Sequence, residues 1–185
     1  MKSMGERAAG LRLERMQASP LWTEAGFRNR HPIAPGLRDS SAPRPTLSEF
    51  LCGGTRRVPS GKLPISDPRP AWLKPPDTGL RATWLDHSTV LIEMDGHRLL
   101  TDPVWGARAS PSQLIGPKRF QKAAVPLSAL PRLDVVLISH DHCDHLCYPT
   151  ILALAQTDVP FVTSLGVGAH LQAWGVLQPG LACLG

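Results

Sequence analysis

At 185 residues, 42% of them hydrophobic, the chain has room for one ordinary folded domain and is too apolar to be wholly disordered or fibrous. Its formal net charge is +5, yet residues 1–76 hold 13 Lys/Arg against 6 Asp/Glu while residues 77–185 hold 7 against 9, so the positive excess belongs to the N-terminal segment. No apolar run approaches the roughly eighteen residues of a membrane-crossing helix, and the opening MKSMGERAAGLRLERMQ is broken by charge every few positions, so neither a transmembrane helix nor a signal peptide is read there.

Cys52, Cys143, Cys147 and Cys183 have no disulfide-framework spacing, which points to free thiols in a reducing, cytoplasmic compartment. Eleven of the 19 prolines fall in residues 1–76, in clusters such as HPIAP, APRP and PISDPRP, and no sustained periodicity runs between them. That composition predicts an extended, irregular lead segment, pinned to a core by Phe27, Leu47, Phe50, Leu51 and Trp72. Its basic character allows peripheral contact with an anionic membrane, although a solvated basic tail is the commoner meaning of such a segment. A nucleic-acid-binding role is not supported, because the arginines have neither interleaved aromatics nor a recognition helix.

From residue 77 onward a folded domain is expected. LRATWL, STVLIEM and HRLLT are short strand-like runs, and Asp95-Gly96 between the last two is the pair a type I′ hairpin turn favours. A loop with proline and glycine follows over 102–126, then Asp134 to Ser139 reads as an apolar strand buried on both faces. Pro149 suits the first turn of a helix through about Gln156, Val159–Thr163 reads as a strand, and VGAHLQAW as a helix closed by Gly175. Strand and helix alternating in this order predict an α/β sheet with ligands gathered at strand ends.

Just past the apolar strand stands His140-Asp141-His142-Cys143-Asp144-His145, an HxHxDH pattern. Imidazole and carboxylate are donors that zinc, manganese and iron accept, and a tight turn lets alternate residues point different ways. On that reading His140 and His142 face one metal while Asp144 and His145 face a second, and the pair activates a bridging hydroxide as nucleophile. A surface histidine tract is the plainer alternative, but such tracts rarely terminate a strand like VVLIS. Asp141 and Cys143 occupy the variable positions of the pattern.

HxHxDH after a strand resembles the metallo-β-lactamase superfamily. TWLDHSTVLIEMDG, LLTDPVWGARASPSQLIGPKRF and LGVGAHLQAWGV resemble its branch containing N-acyl-phosphatidylethanolamine-hydrolysing phospholipase D and bacterial relatives, from about Phe27 to Val176. The resemblance implies an αββα fold, in which two β-sheets form a sandwich with helices outside. It also implies a dinuclear zinc centre and hydrolysis of a phosphodiester bond in a phospholipid. Asp102 then lies beneath the metal loop and orients a ligand histidine, the alternative being a plain turn aspartate before Pro103. His87 matches the family's Gly-His-Ser/Thr stretch at the site and is a catalytic candidate with Asp144, the alternative being a structural hairpin histidine. The family has glycine where this chain has Asp86, and a positive φ there would strain it. His170 stays unassigned, His31 and His97 are expected in solvent, and the five tryptophans are expected in core and lid packing.

A catalytic zinc ordinarily takes three protein ligands, whereas this loop offers two per metal. In the superfamily the rest come from the second half of the fold, and after His145 this chain has only His170 and Asp158 in contexts that do not match. The expectation is therefore the N-terminal half of such a hydrolase, truncated over 77–185 and impaired in activity. Its uncovered sheet face would favour self-association. The other reading is a non-catalytic metal-binding or interaction fragment that needs a second chain to complete the site.

Overall fold

The computed structural model describes residues 2–31, 46, 59–176 and 181–184, so Leu47, Phe50, Leu51 and Cys52 lie outside the described residues. Six strands form one mixed sheet in sequence order: β3 (Leu80–Asp86), β4 (Thr89–Met94), β5 (His97–Thr101), β6 (Val135–Ile138), β7 (Phe161–Ser164) and β8 (Leu181–Leu184). The first three pair antiparallel and the last four run parallel. Asp95 and Gly96 both have positive φ, 51° and 82°, as a type I′ turn between β4 and β5 demands. Parallel neighbours need crossovers. These are the loop over 102–134, with one 3-10 turn at Leu127–Ala129, between β5 and β6; α2 (Tyr148–Leu154), with Pro149 in its first turn, between β6 and β7; and α3 (Gly168–Ala173) between β7 and β8, after which Gly175 turns the chain at φ 92°.

The lead segment is less irregular than its prolines suggest. It contains a helix, α1 (Gly10–Gln17), and a two-stranded hairpin of β1 (Trp22–Thr23) with β2 (Gly26–Phe27). With no side-chain cap and no buried residue, α1 carries little sequence signal, and contact with α3 holds it instead. Arg12 Nε donates to Gln172 Oε1 at 3.3 Å, and Trp174 Nε1 donates to the Lys2 carbonyl at 2.7 Å. Trp72 is buried as expected, whereas Phe27 is 47% exposed and only packs edge-on against Trp22.

One face of the sheet makes the core. Register aligns Leu91, Leu100, Val136 and Phe161 in a row, all essentially buried, and Ile151, Leu154, Leu171 and Trp174 from the helices cover them. Glu93 is buried on the same face, held by Arg81 Nε at 2.6 Å and Arg98 Nε at 3.3 Å. The opposite face is also apolar, with Val90, Leu137 and Val162 in one row and Ile92, Leu99 and Val135 in the next, but these are only half-buried. The expectation that β6 is buried on both faces is thus corrected: it alternates, because among the described residues helices cover one side only. Trp84 is corrected too, being 70% exposed instead of packed in the core.

Candidate metal centre

Because β5 and β6 are parallel neighbours, their carboxyl ends emerge side by side, and the loops that leave them meet. The Asp102 amide donates to the Leu137 carbonyl at 2.8 Å, while its side chain reaches under the loop after β6. One carboxylate oxygen accepts the Ser139 amide at 2.8 Å. The other accepts the Ser139 hydroxyl at 2.7 Å and lies 2.9 Å from His145 Nδ1. Asp102 is buried and sits at φ 38°, a left-handed conformation that aspartate adopts more readily than most residues.

The loop closes as a turn, in which the His142 carbonyl accepts the amides of His145 at 2.9 Å and Leu146 at 2.6 Å. Leu146 and Cys147 are buried directly behind it, fixing the loop to the start of α2. The turn crowds the imidazoles: ring centroids of His140 and His142 are 4.6 Å apart, edge to face, and those of His140 and His145 are 4.0 Å apart. Ser139 Oγ lies 2.9 Å from His140 Nδ1. With Nδ1 engaged in each case, His140 and His145 keep Nε2 for another partner.

The tip of the β3–β4 hairpin supplies a third wall. Thr89 Oγ1 donates to the Asp102 carbonyl at 2.7 Å, and Thr101 Oγ1 donates to the Ser88 carbonyl at 3.0 Å, so the tip is fastened over the end of β5. His87 Nε2 stands 3.1 Å from Asp144 Oδ2. The positive φ anticipated at Asp86 falls on His87, at 40°, because Asp86 still pairs with Thr89 after a bulge. Trp84 Nε1 donates to the His87 carbonyl at 2.8 Å, which gives its exposed ring a use.

The ligand atoms of His87, Asp144 and His145 all lie within 4.8 Å of one another. Partial burial pushes the Asp144 carboxyl upward, but its own backbone amide, the charge of His145 and the His87 hydrogen bond outweigh that, leaving it below the usual carboxylate range. Burial first, then the charges of Asp144, Cys147 and Asp141, raise the Cys143 thiol, so it stays protonated at neutral pH. Two neutral-capable imidazoles and one ionised carboxylate are a donor set that suits a divalent transition metal, and the residues present fit such an ion.

All six residues singled out from the sequence, His87, Asp102, His140, His142, Asp144 and His145, therefore gather at one end of the sheet. Ser139 was missed, although it links Asp102 to His140, because a lone serine before a histidine has no signature. Asp141 points away from the cluster, 3.6 Å from His170 Nε2. His31 and His97 are exposed.

Residues 97–181 match the family model described as a beta-lactamase superfamily domain. An uncharacterized protein of Mycobacterium tuberculosis is 40% identical over 177 residues, covering 95% of this chain and 47% of its own length. The chain thus spans about half the length of that relative. N-acyl-phosphatidylethanolamine-hydrolyzing phospholipase D 1 of Caenorhabditis elegans is 50% identical over 70 residues, 38% of this chain and 20% of that protein. Among solved structures, a diiron beta-hydroxylase from Streptomyces venezuelae aligns with a TM-score of 0.40 and 25% identity over 57% of this chain and 20% of its own, too slight a likeness to bear on the fold. With the HxHxDH loop at the sheet end, residues 97–181 are thus similar to a beta-lactamase superfamily domain, and the chain resembles the metallo-β-lactamase branch that hydrolyses N-acyl-phosphatidylethanolamine.

Proposed function

We propose that this chain forms the metal-holding part of a phospholipid phosphodiesterase, with zinc as the metal. The observation that carries the reading is the convergence of His87, Asp144 and His145 within 4.8 Å above a carboxylate that fixes His145 from behind. His87 gives the Asp144–His145 pair a third donor, which the loop alone lacks. His140 and His142 would hold the other ion with help from elsewhere. A bound divalent cation there lowers the pKa of a water and offsets charge on a phosphoryl oxygen.

The chain's own residues do the rest. Asp102 accepts the His145 Nδ1 proton and so keeps Nε2 available as a donor. His87 holds Asp144 Oδ2 in place, and Ser139 ties the His140 ring to the same carboxylate. The phosphodiester reading is supported by the relative named for hydrolysing N-acyl-phosphatidylethanolamine, whose similarity covers 38% of this chain. A non-catalytic module completed by a second chain is the other reading, favoured by the two-donor His140–His142 pair.

Metal content of the purified chain, dialysed against zinc, separates these outcomes. Zinc should be bound, His142→Ala and His87→Ala should each lower its occupancy, and hydrolysis of N-acylphosphatidylethanolamine in mixed micelles should fall with it. Zinc-dependent turnover undiminished by His142→Ala would remove the loop from the mechanism. A chain that binds zinc without turnover until a second chain is added would favour the module.

A further inference from the structure

The loop between β5 and β6 carries a hairpin. Its base is a bridge between Arg108 and Lys118, reinforced by the Ala109 amide donating to the Pro117 carbonyl at 3.1 Å and the Arg119 amide to the Ala107 carbonyl at 3.0 Å. At its tip Leu114 is 85% exposed and Ile115 is 75% exposed, and just past the base Phe120 is 59% exposed. A pair of adjacent aliphatic side chains presented almost entirely to water at the end of an ordered loop is costly unless something apolar receives them.

Charge says what that is. Residues 103–133 contain five Lys/Arg and no Asp or Glu, and Lys118 and Lys122, both exposed, lie at the base of the hairpin. Aliphatic tip and basic base match an anionic bilayer, with hydrocarbon below and phosphate headgroups above. Several of the tip's polar groups are answered within it, which lowers the cost of leaving water. The Leu114 amide donates to Ser112 Oγ at 3.2 Å, the Ser112 amide to Ser110 Oγ at 3.2 Å, and the Gln113 side chain bridges both the amide and the carbonyl of Arg108.

We propose that residues 108–122 are a membrane-docking hairpin, with Leu114 and Ile115 inserting into an anionic lipid surface while Lys118 and Lys122 meet its headgroups. This assigns lipid contact to the hairpin instead of to the basic N-terminal segment. The hairpin is tied to the metal centre. Arg119 pairs with Asp86, next to His87, and donates through Nη2 to the Val104 carbonyl at 2.7 Å, while Gly106 backs onto Cys147. Docking therefore brings the end of the sheet that carries the histidines to the bilayer. The pairing also gives Asp86 a counter-charge in Arg119.

The test needs no metal, so its outcome is independent of the phosphodiesterase reading. The full chain in EDTA is sedimented with vesicles of phosphatidylcholine and of phosphatidylcholine with phosphatidylglycerol. Expected is stronger co-sedimentation with the anionic vesicles. Leu114→Asp and Ile115→Asp should each lower the partition coefficient roughly tenfold or more, and Lys118→Gln or Lys122→Gln roughly fivefold on anionic vesicles alone. Thermal unfolding of each variant at the parent temperature shows that these exposed changes leave the fold intact. No co-sedimentation overturns the proposal, as does binding unchanged by the tip variants or lost only when residues 1–31 are removed. A dimer in velocity sedimentation that Leu114→Asp dissolves, without vesicle binding, makes a second copy the occupant and overturns it equally.

Discussion

Replacing Asp102 by Asn tests the coordination argument at its narrowest point. The asparagine keeps nearly the same shape and is among the residues that tolerate φ 38°, so the backbone is not the variable. Its carbonyl oxygen can still accept the Ser139 amide now bonded at 2.8 Å, but its NH2 group then faces Ser139 Oγ and His145 Nδ1, where the carboxylate accepted at 2.7 and 2.9 Å. His145 must answer by accepting at Nδ1, which moves its proton to Nε2 and removes the lone pair a metal would use. Losing such a partner behind a ligand histidine lowers metal affinity by roughly 10–100-fold. Two charge-assisted bonds that become neutral at a buried site cost about 1–3 kcal/mol in stability. Zinc affinity by competition with a chromophoric chelator, together with urea unfolding of the metal-free protein, measures both. An Asp102→Asn variant that folds and binds zinc as tightly as the parent would refute the reasoning.

Three further outcomes are expected. Burial pushes the Glu93 carboxyl up, but the hydrogen bonds from Arg81 and Arg98 prevail and hold it below its ordinary value of 4.5, so its contribution is present above about that pH and is lost as pH falls through the folded value. Glu93→Gln should cost about 1–3 kcal/mol near neutral pH and flatten the acid limb of a urea-midpoint-against-pH curve, parallel curves arguing against the pair. Gly5→Ala should detach the N-terminal segment from α3, since its Cβ would stand 1.9 Å from His170 Nδ1 at φ 67°; faster proteolysis within residues 2–27 is the readout. His87→Ala should weaken zinc binding by more than tenfold if it is the third donor beside Asp144 and His145, an unchanged affinity assigning His87 to the hairpin alone.

Local chemistry settled much of this protein before any contact was known. Asp95-Gly96 had to turn left-handed, the runs either side had to pair, and six residues in HxHxDH spacing marked where a metal could go, because turn geometry and ligand identity are properties of a few adjacent residues. The helix α1 was not legible in that way, since its stabilising partners, Gln172 and the α3 surface, are about 160 positions away. Likewise HxHxDH alone suggests two donors for each metal. Only the parallel pairing of β5 with β6 and the fastening of the β3–β4 tip bring Asp102 behind His145 and His87 beside Asp144, across separations of 43 and 57 residues. A strand end has a fixed direction but no fixed neighbour in the sequence. Hydrogen-bond register supplies that neighbour, and with it the geometry on which any chemistry here depends.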